Sequence, residues 1–229
     1  MNNDSVLGQP SIVPVPATSK QVDFATALRR LQDGNRRFVQ DLRSIASLTT
    51  SAQRAALAAG QSPFAVILSC ADSRVPSEMV FDQGLGDLFV VRVAGNVVAP
   101  SLVGSVEYAV DTFGTELVVV MGHTGCGAVK ATLDYLERPA VGSKNVLDIV
   151  ERIRPSVEPL VSTSTDKSAL MSAATRANVR ASAAQLRSGS PLFEERIAAG
   201  KLLIVGAEYS LESGEVDMFD GVPEKLRAN

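Results

Sequence analysis

"LVVVMGHTGCGAVKATL", residues 117–133, carries the deciding pattern of this 229-residue chain. An aliphatic run reaches Met121, glycines at 122, 125 and 127 stud the turn that follows, and an alanine- and leucine-bearing segment begins. A buried strand passing through a tight turn into a helix is the repeating unit of a parallel α/β sheet. The turn also holds His123, the only histidine, and Cys126, one of two cysteines. The pattern leaves three readings open: a loop for phosphate, a metal half-site, or a plain turn.

Working outward, "PFAVILSC" (63–70) and "DLFVVRVAG" (87–95) read as two earlier strands, and "KLLIVGAEYS" (201–210) as a fourth. "SLVGSVEYAVDTFG" (101–114) is helical in period, with Leu102, Val106, Ala109, Val110 and Phe113 on one face; "GAVKATLDYLE" (127–137) is a second helix. Residues 145–186 read as mostly helical, with Pro155 and Pro159 as breaks. Upstream, residues 23–42 place Phe24, Leu28, Leu31, Phe38 and Leu42 near helical spacing with Gly34 as a weak point, and "TSAQRAALAAG" is a short helix stopping at Gly60. "GEVDMFD" (214–220) is an antiparallel hairpin partner of the fourth strand through "ESGE". Alternating strands and helices imply a parallel sheet covered on both faces. Residues 1–20, with three prolines, read as an extended arm, and 21–229 as one α/β domain.

Composition narrows the function. A net charge of −3 without a long basic run gives no electrostatic case for nucleic acid. No apolar run approaches the ~20 residues of a membrane span. The N-terminus lacks a basic segment followed by a continuous apolar one, so no signal peptide is expected. Two cysteines 56 positions apart make no disulfide framework, which favours a reduced, cytoplasmic setting.

In open α/β sheets function gathers beyond the carboxyl ends of the strands. The first strand ends in "CADSR", with Cys70 at its tip and Asp72 and Arg74 beyond; the third ends in "GHTGCG", with His123 and Cys126. Every histidine and cysteine of the chain therefore falls at one predicted edge. Singly, a histidine is most often a satisfied structural residue and a cysteine an apolar filler. Three at matching strand ends are a ligand set for Zn²⁺ with the fourth position left open. "GHTGCG" also fits part of a phosphate loop, but Ala128-Val129 stands where Lys-Ser/Thr belongs. Asp72 and Arg74 can pair bidentately. Beside a metal the carboxylate either orients the reacting group or fills the fourth position.

"C-A-D-S-R" followed by "H-T-G-C-G" resembles the β-class carbonic anhydrases. "LQDGNRRFV" and "GSVEYAV" resemble that family's N-terminal helix and the helix before the third strand. The resemblance implies a four-stranded parallel sheet with an added antiparallel strand, flanked by helices. It implies one Zn²⁺ per chain on Cys70, His123 and Cys126, Asp72–Arg74 as the catalytic dyad, and hydration of CO₂ to bicarbonate by zinc hydroxide. It further implies Gln61 as a hydrogen-bond donor to substrate in the neighbouring subunit's site. Phe89, Ala94 and Tyr108 would line the pocket, Gly127 would offer a backbone amide, and the assembly would be a homodimer or tetramer. With no second histidine, a histidine proton shuttle is excluded. The same scaffold leaves open hydrolysis of CS₂ or COS, and a non-catalytic zinc site closed by Asp72.

Overall fold

The computed structural model describes residues 22–42, 44, 50–139, 142–163 and 166–227. The arm expected over residues 1–20 lies outside them. Five strands form one sheet in the order β2-β1-β3-β4-β5. They are β1 (Ala65–Ser69), β2 (Leu88–Arg92), β3 (Leu117–His123), β4 (Leu203–Tyr209) and β5 (Val216–Asp220). β1 to β4 are mutually parallel and β5 is antiparallel to β4, as the sequence pattern predicts. Every residue of β1 and β3 is buried. That is why both read as unbroken aliphatic runs rather than as alternating strands.

Eight helices are described: α1 (Phe24–Val39), α2 (Ser51–Leu57), α3 (Ser77–Val80), α4 (Pro100–Thr112), α5 (Gly127–Glu137), α6 (Lys144–Val157), α7 (Lys167–Ser188) and α8 (Pro191–Ala198). On one face of the sheet, Leu28 and Leu31 of α1 and Val80 of α3 pack against Ile67, Leu117, Val119 and Met121. On the other, Val106 and Val110 of α4, Val179 and Leu186 of α7 and Phe193 of α8 pack against Val66, Leu68, Val118 and Val120. The period of two along β1 and β3 sends alternate side chains to the two layers.

Several expectations change. Pro155 does not break its helix: it lies in the last turn of α6, which ends at Val157 and passes into a 3₁₀ turn containing Pro159. Near a helix end one missing N–H interrupts little. Leu42 lies beyond α1 and is exposed, while α3 and α8 emerge from segments without a clear helical period. Leu102 and Phe113 are only half buried on the α4 face.

Gly34 is required rather than weak. A Cβ there would sit 1.8 Å from the Phe81 carbonyl oxygen, so α1 rests directly on the backbone after α3. Alanine improves helix propensity by about 1 kcal/mol. Against rigid backbone, overpacking costs about 3 kcal/mol. Gly34→Ala is therefore expected to lower the urea midpoint strongly; an unchanged or raised midpoint would show that α1 can lift away freely.

Candidate metal centre and active site

β1 and β3 are neighbours in register, with Ser69 opposite Met121, so their carboxyl ends deliver Cys70 and His123 to one place. Cys126 follows three residues after His123 because Gly125, at φ 66°, closes the turn in the left-handed region. Cys70 Sγ, a His123 ring nitrogen and Cys126 Sγ lie within 4.8 Å of one another, and all three residues are buried. Val97, Val129, Ile153, Val157 and Ala174 pack around the two sulfurs.

The donor chemistry fits a metal ion. His123 Nδ1 lies 3.0 Å from the Thr124 carbonyl oxygen. A carbonyl only accepts, so Nδ1 carries the proton and Nε2 keeps its lone pair. Nε2 is fully buried and has no hydrogen-bond partner. Such an orphan is costly unless something else binds it. The two thiols titrate as a pair. The Cys70 thiol is pushed down, chiefly because Cys126 hydrogen-bonds its sulfur, with the backbone N–H groups of Asp72 and Gly95 adding to this against burial. The Cys126 thiol is pushed up by the same contact with Cys70 and by burial, although the Val129 and Ala128 N–H groups at the start of α5 oppose this. A cation between the sulfurs would replace the shared proton. Two thiolates, one imidazole and an apolar surround are a set suited to Zn²⁺.

Asp72 borders this centre. Its Oδ1 accepts from the Arg74 backbone N–H at 3.0 Å and from Arg74 Nε at 2.9 Å, and its Oδ2 accepts from Nη2 at 2.8 Å. Oδ2 is 3.9 Å from His123 Nε2, beyond hydrogen-bond range. Both oxygens thus accept from Arg74, and Oδ2, with a single donor, keeps capacity to accept one more bond. The Arg74 side chain, then its backbone N–H, hold the Asp72 carboxyl well below the ordinary carboxylate range.

Two features escaped sequence reasoning. Arg92 donates through Nε to the Cys70 carbonyl at 3.1 Å and through Nη2 to the Asp72 carbonyl at 2.6 Å. It braces the "CADSR" loop from the neighbouring strand, and an arginine ending an aliphatic strand was the available signal. Gly95 N–H donates to Cys70 Sγ at 3.3 Å. It belongs to a 3₁₀ turn after β2 (Ala94–Asn96), where Gly95 and Asn96 are both left-handed.

The remaining sequence-assigned residues divide. Ala94 adjoins Gly95, and Gly127 opens α5 beside Cys126, so both are at the centre. Phe89, Tyr108 and Gln61 are not brought there within one chain. Phe89 pairs with Val66, so it sits about 13 Å down the strand from Cys70. Its ring instead meets Tyr108 at 6.3 Å and Phe113 at 6.1 Å, and Tyr108 is 52% exposed. Gln61 is exposed and precedes the amino end of β1, opposite the end that carries Cys70.

Three comparisons bear on this centre. The family model described as "Carbonic anhydrase" matches residues 65–216. "Carbonic anhydrase 2" of Mycobacterium tuberculosis is 42% identical over 196 residues, covering 86% of this chain and 93% of that protein. The carbonic anhydrase of Mycolicibacterium smegmatis is 43% identical over 194 residues, covering 84% of this chain and 91% of that one. Among solved structures, one from a study of two tetrameric β-carbonic anhydrases of Sordaria macrospora superposes with a TM-score of 0.64 at 26% identity, covering 72% of this chain and 85% of that one.

Proposed function

The chain belongs to the carbonic anhydrase family, in its β class, and from that premise we propose how its residues divide the work. The protein is a zinc-dependent lyase that interconverts CO₂ and bicarbonate. Cys70, His123 and Cys126 hold the metal. The observation that carries this assignment is the buried, unpartnered Nε2 of His123 facing two paired thiols. Zinc supplies Lewis acidity that makes water a competent nucleophile near neutral pH.

The side chains supply the rest. Asp72 accepts the hydrogen bond of the attacking water and turns its lone pair toward carbon. Arg74 fixes the carboxylate for that task. Because its proton affinity is so low, Asp72 orients the proton without taking it. Ala94 keeps the wall beside Cys70 small and apolar, suited to an uncharged linear substrate. The Gly127 N–H is one of the free donors at the start of α5, where an anionic product is favoured.

Hydrolysis of CS₂ or COS and a closed zinc site are less well supported. The named relatives are carbonic anhydrases, and both Asp72 oxygens accept from Arg74, with Oδ2 beyond hydrogen-bond distance of His123 Nε2. No helix among the described residues is long and apolar enough to cross a membrane. A reduced compartment such as the cytoplasm suits two thiols that must stay free for metal. Residues 21–229 act as one domain, since both half-sites rise from a single sheet.

Gln61, Phe89 and Tyr108 reach a site only by serving a second copy of the chain, which makes the working unit at least a dimer. The exposure of Gln61 and Tyr108, away from the strand end that carries Cys70, supports this. Zinc-loaded protein is expected to hydrate CO₂ in a stopped-flow assay. Gln61→Ala should lose on the order of a hundredfold in kcat, the effect of removing one donor to a developing oxyanion. Mixing Gln61→Ala with Cys126→Ser chains should restore activity, because each mixed dimer assembles one site with intact metal ligands and an intact glutamine. No recovery in verified mixed dimers would place Gln61 in its own chain's site and refute the exchange.

A further inference from the structure

We propose that Asn178 of α7 is a positioning residue for the Cys70 metal donor, acting through Gly95. Its side chain is 2% exposed, and its Nδ2 donates to the Gly95 carbonyl at 2.8 Å across 83 positions of sequence. The same glycine donates its N–H to Cys70 Sγ at 3.3 Å. Asn178, Gly95 and the sulfur thus form a continuous strut from the helix to a metal ligand.

The turn needs such support. Gly95 at φ 69° is followed by Asn96 at φ 45°, a left-handed pair in the two residue types that tolerate that region best. Their local preference permits the turn, and tertiary contacts fix which way its N–H and carbonyl face. Space is no freer: a Cβ on Gly95 would lie 2.8 Å from Ile153 Cδ1 and 3.0 Å from Ala128 Cβ. Asn178 anchors the carbonyl side of this turn and the turn presents its N–H to sulfur.

The same face of α7 also controls the other half-site. A Cβ on Gly122, the residue before His123, would lie 2.5 Å from Val179 Cγ2 and 3.5 Å from Thr175 Cγ2. Ala174 packs in the cluster that holds Cys70 and Cys126. α7 therefore sets the spacing between the tip of β1 and the tip of β3. Donation of an N–H to a thiolate withdraws charge from it, so the strut also tempers the sulfur's donor strength.

The inference rests on Cys70, His123 and Cys126 being the zinc ligands, and the test separates the two. Wild-type protein loaded with Co²⁺ should show thiolate-to-cobalt charge transfer. Its absence would overturn the ligand assignment and the strut with it. Asn178→Leu keeps the bulk and removes the donor. It should weaken zinc, read by chelator competition, by roughly tenfold or more and shift the charge-transfer band. Leu186→Ala is the control. It lies on α7 in the core that packs on Val66 and Val118, is 1% exposed, and should lose stability while keeping zinc affinity and the cobalt spectrum. Should Asn178→Leu fail to fold, Asn178→Ser, too short to reach the carbonyl, is read the same way. Wild-type zinc affinity and spectrum in the Asn178 variant would overturn the proposal. So would equal changes in Leu186→Ala, which would make Asn178 a stability residue only.

Discussion

Cys126→Ser is expected to strip the protein of tightly held zinc and to bring CO₂ hydration down to the buffer rate. Cys126 is 1% exposed, caps the start of α5 and sits among Val97, Val129 and Ile153. Serine is smaller and fits the space, so the main loss is chemical. A hydroxyl does not ionise near neutral pH, and a neutral oxygen is a poor partner for a borderline-soft ion. Changes around a ligand cost 10–100-fold in metal affinity. Removing one of only three protein ligands must cost more.

Stability supplies a second readout. A ligand present at about a thousand times its dissociation constant stabilises the fold by about 4 kcal/mol. Added zinc should raise the melting temperature of the wild type and leave that of Cys126→Ser almost unmoved. The variant's own stability should be close to that of metal-free wild type, because its environment loses only one sulfur. Metal analysis showing one tightly held zinc per chain in Cys126→Ser would remove Cys126 from the ligand set.

The cluster of Cys70, His123 and Cys126 was legible in sequence because it combines two independent signals. Aliphatic runs mark β1 and β3, and the rarest residue types stand at their ends. Register then does the rest: Ser69 beside Met121 makes the two tips adjacent. What stayed hidden depends on contacts between distant segments. Nothing local to Asn178 marks it as the partner of Gly95, 83 positions away. Gly34 reads as a helix fault because the Phe81 carbonyl that demands a glycine belongs to another element. α8 is a short helix of eight residues whose single buried side chain, Phe193, gives no periodic pattern to detect. Phe89, Tyr108 and Gln61 were assignable only through resemblance. One chain places them away from its own Cys70, His123 and Cys126, so a single chain gives them no contact with that cluster.

Asp72→Asn should leave zinc in place and lower kcat by 10²–10³, about 3–4 kcal/mol of barrier. The substitution is nearly isosteric, yet it cannot satisfy the same partners. Arg74 directs a backbone N–H and Nε at one oxygen and Nη2 at the other. An asparagine presents one acceptor and one NH₂, so a donor faces a donor and the side chain must turn or lose a bond. The fold should barely notice. Arg74 is 57% exposed on its side chain, and ion pairs at such sites contribute about 1 kcal/mol or less. A large kinetic loss with a small stability loss is therefore the signature of a group that orients the reacting water. Arg74→Ala leaves the Asp72 charge in place and releases its direction, so it should cost less than Asp72→Asn. The two together should cost little more than Asp72→Asn alone, since both remove one oriented acceptor. Full activity in zinc-loaded Asp72→Asn would eliminate the dyad, and strict additivity of the pair would show that Arg74 works on something other than Asp72.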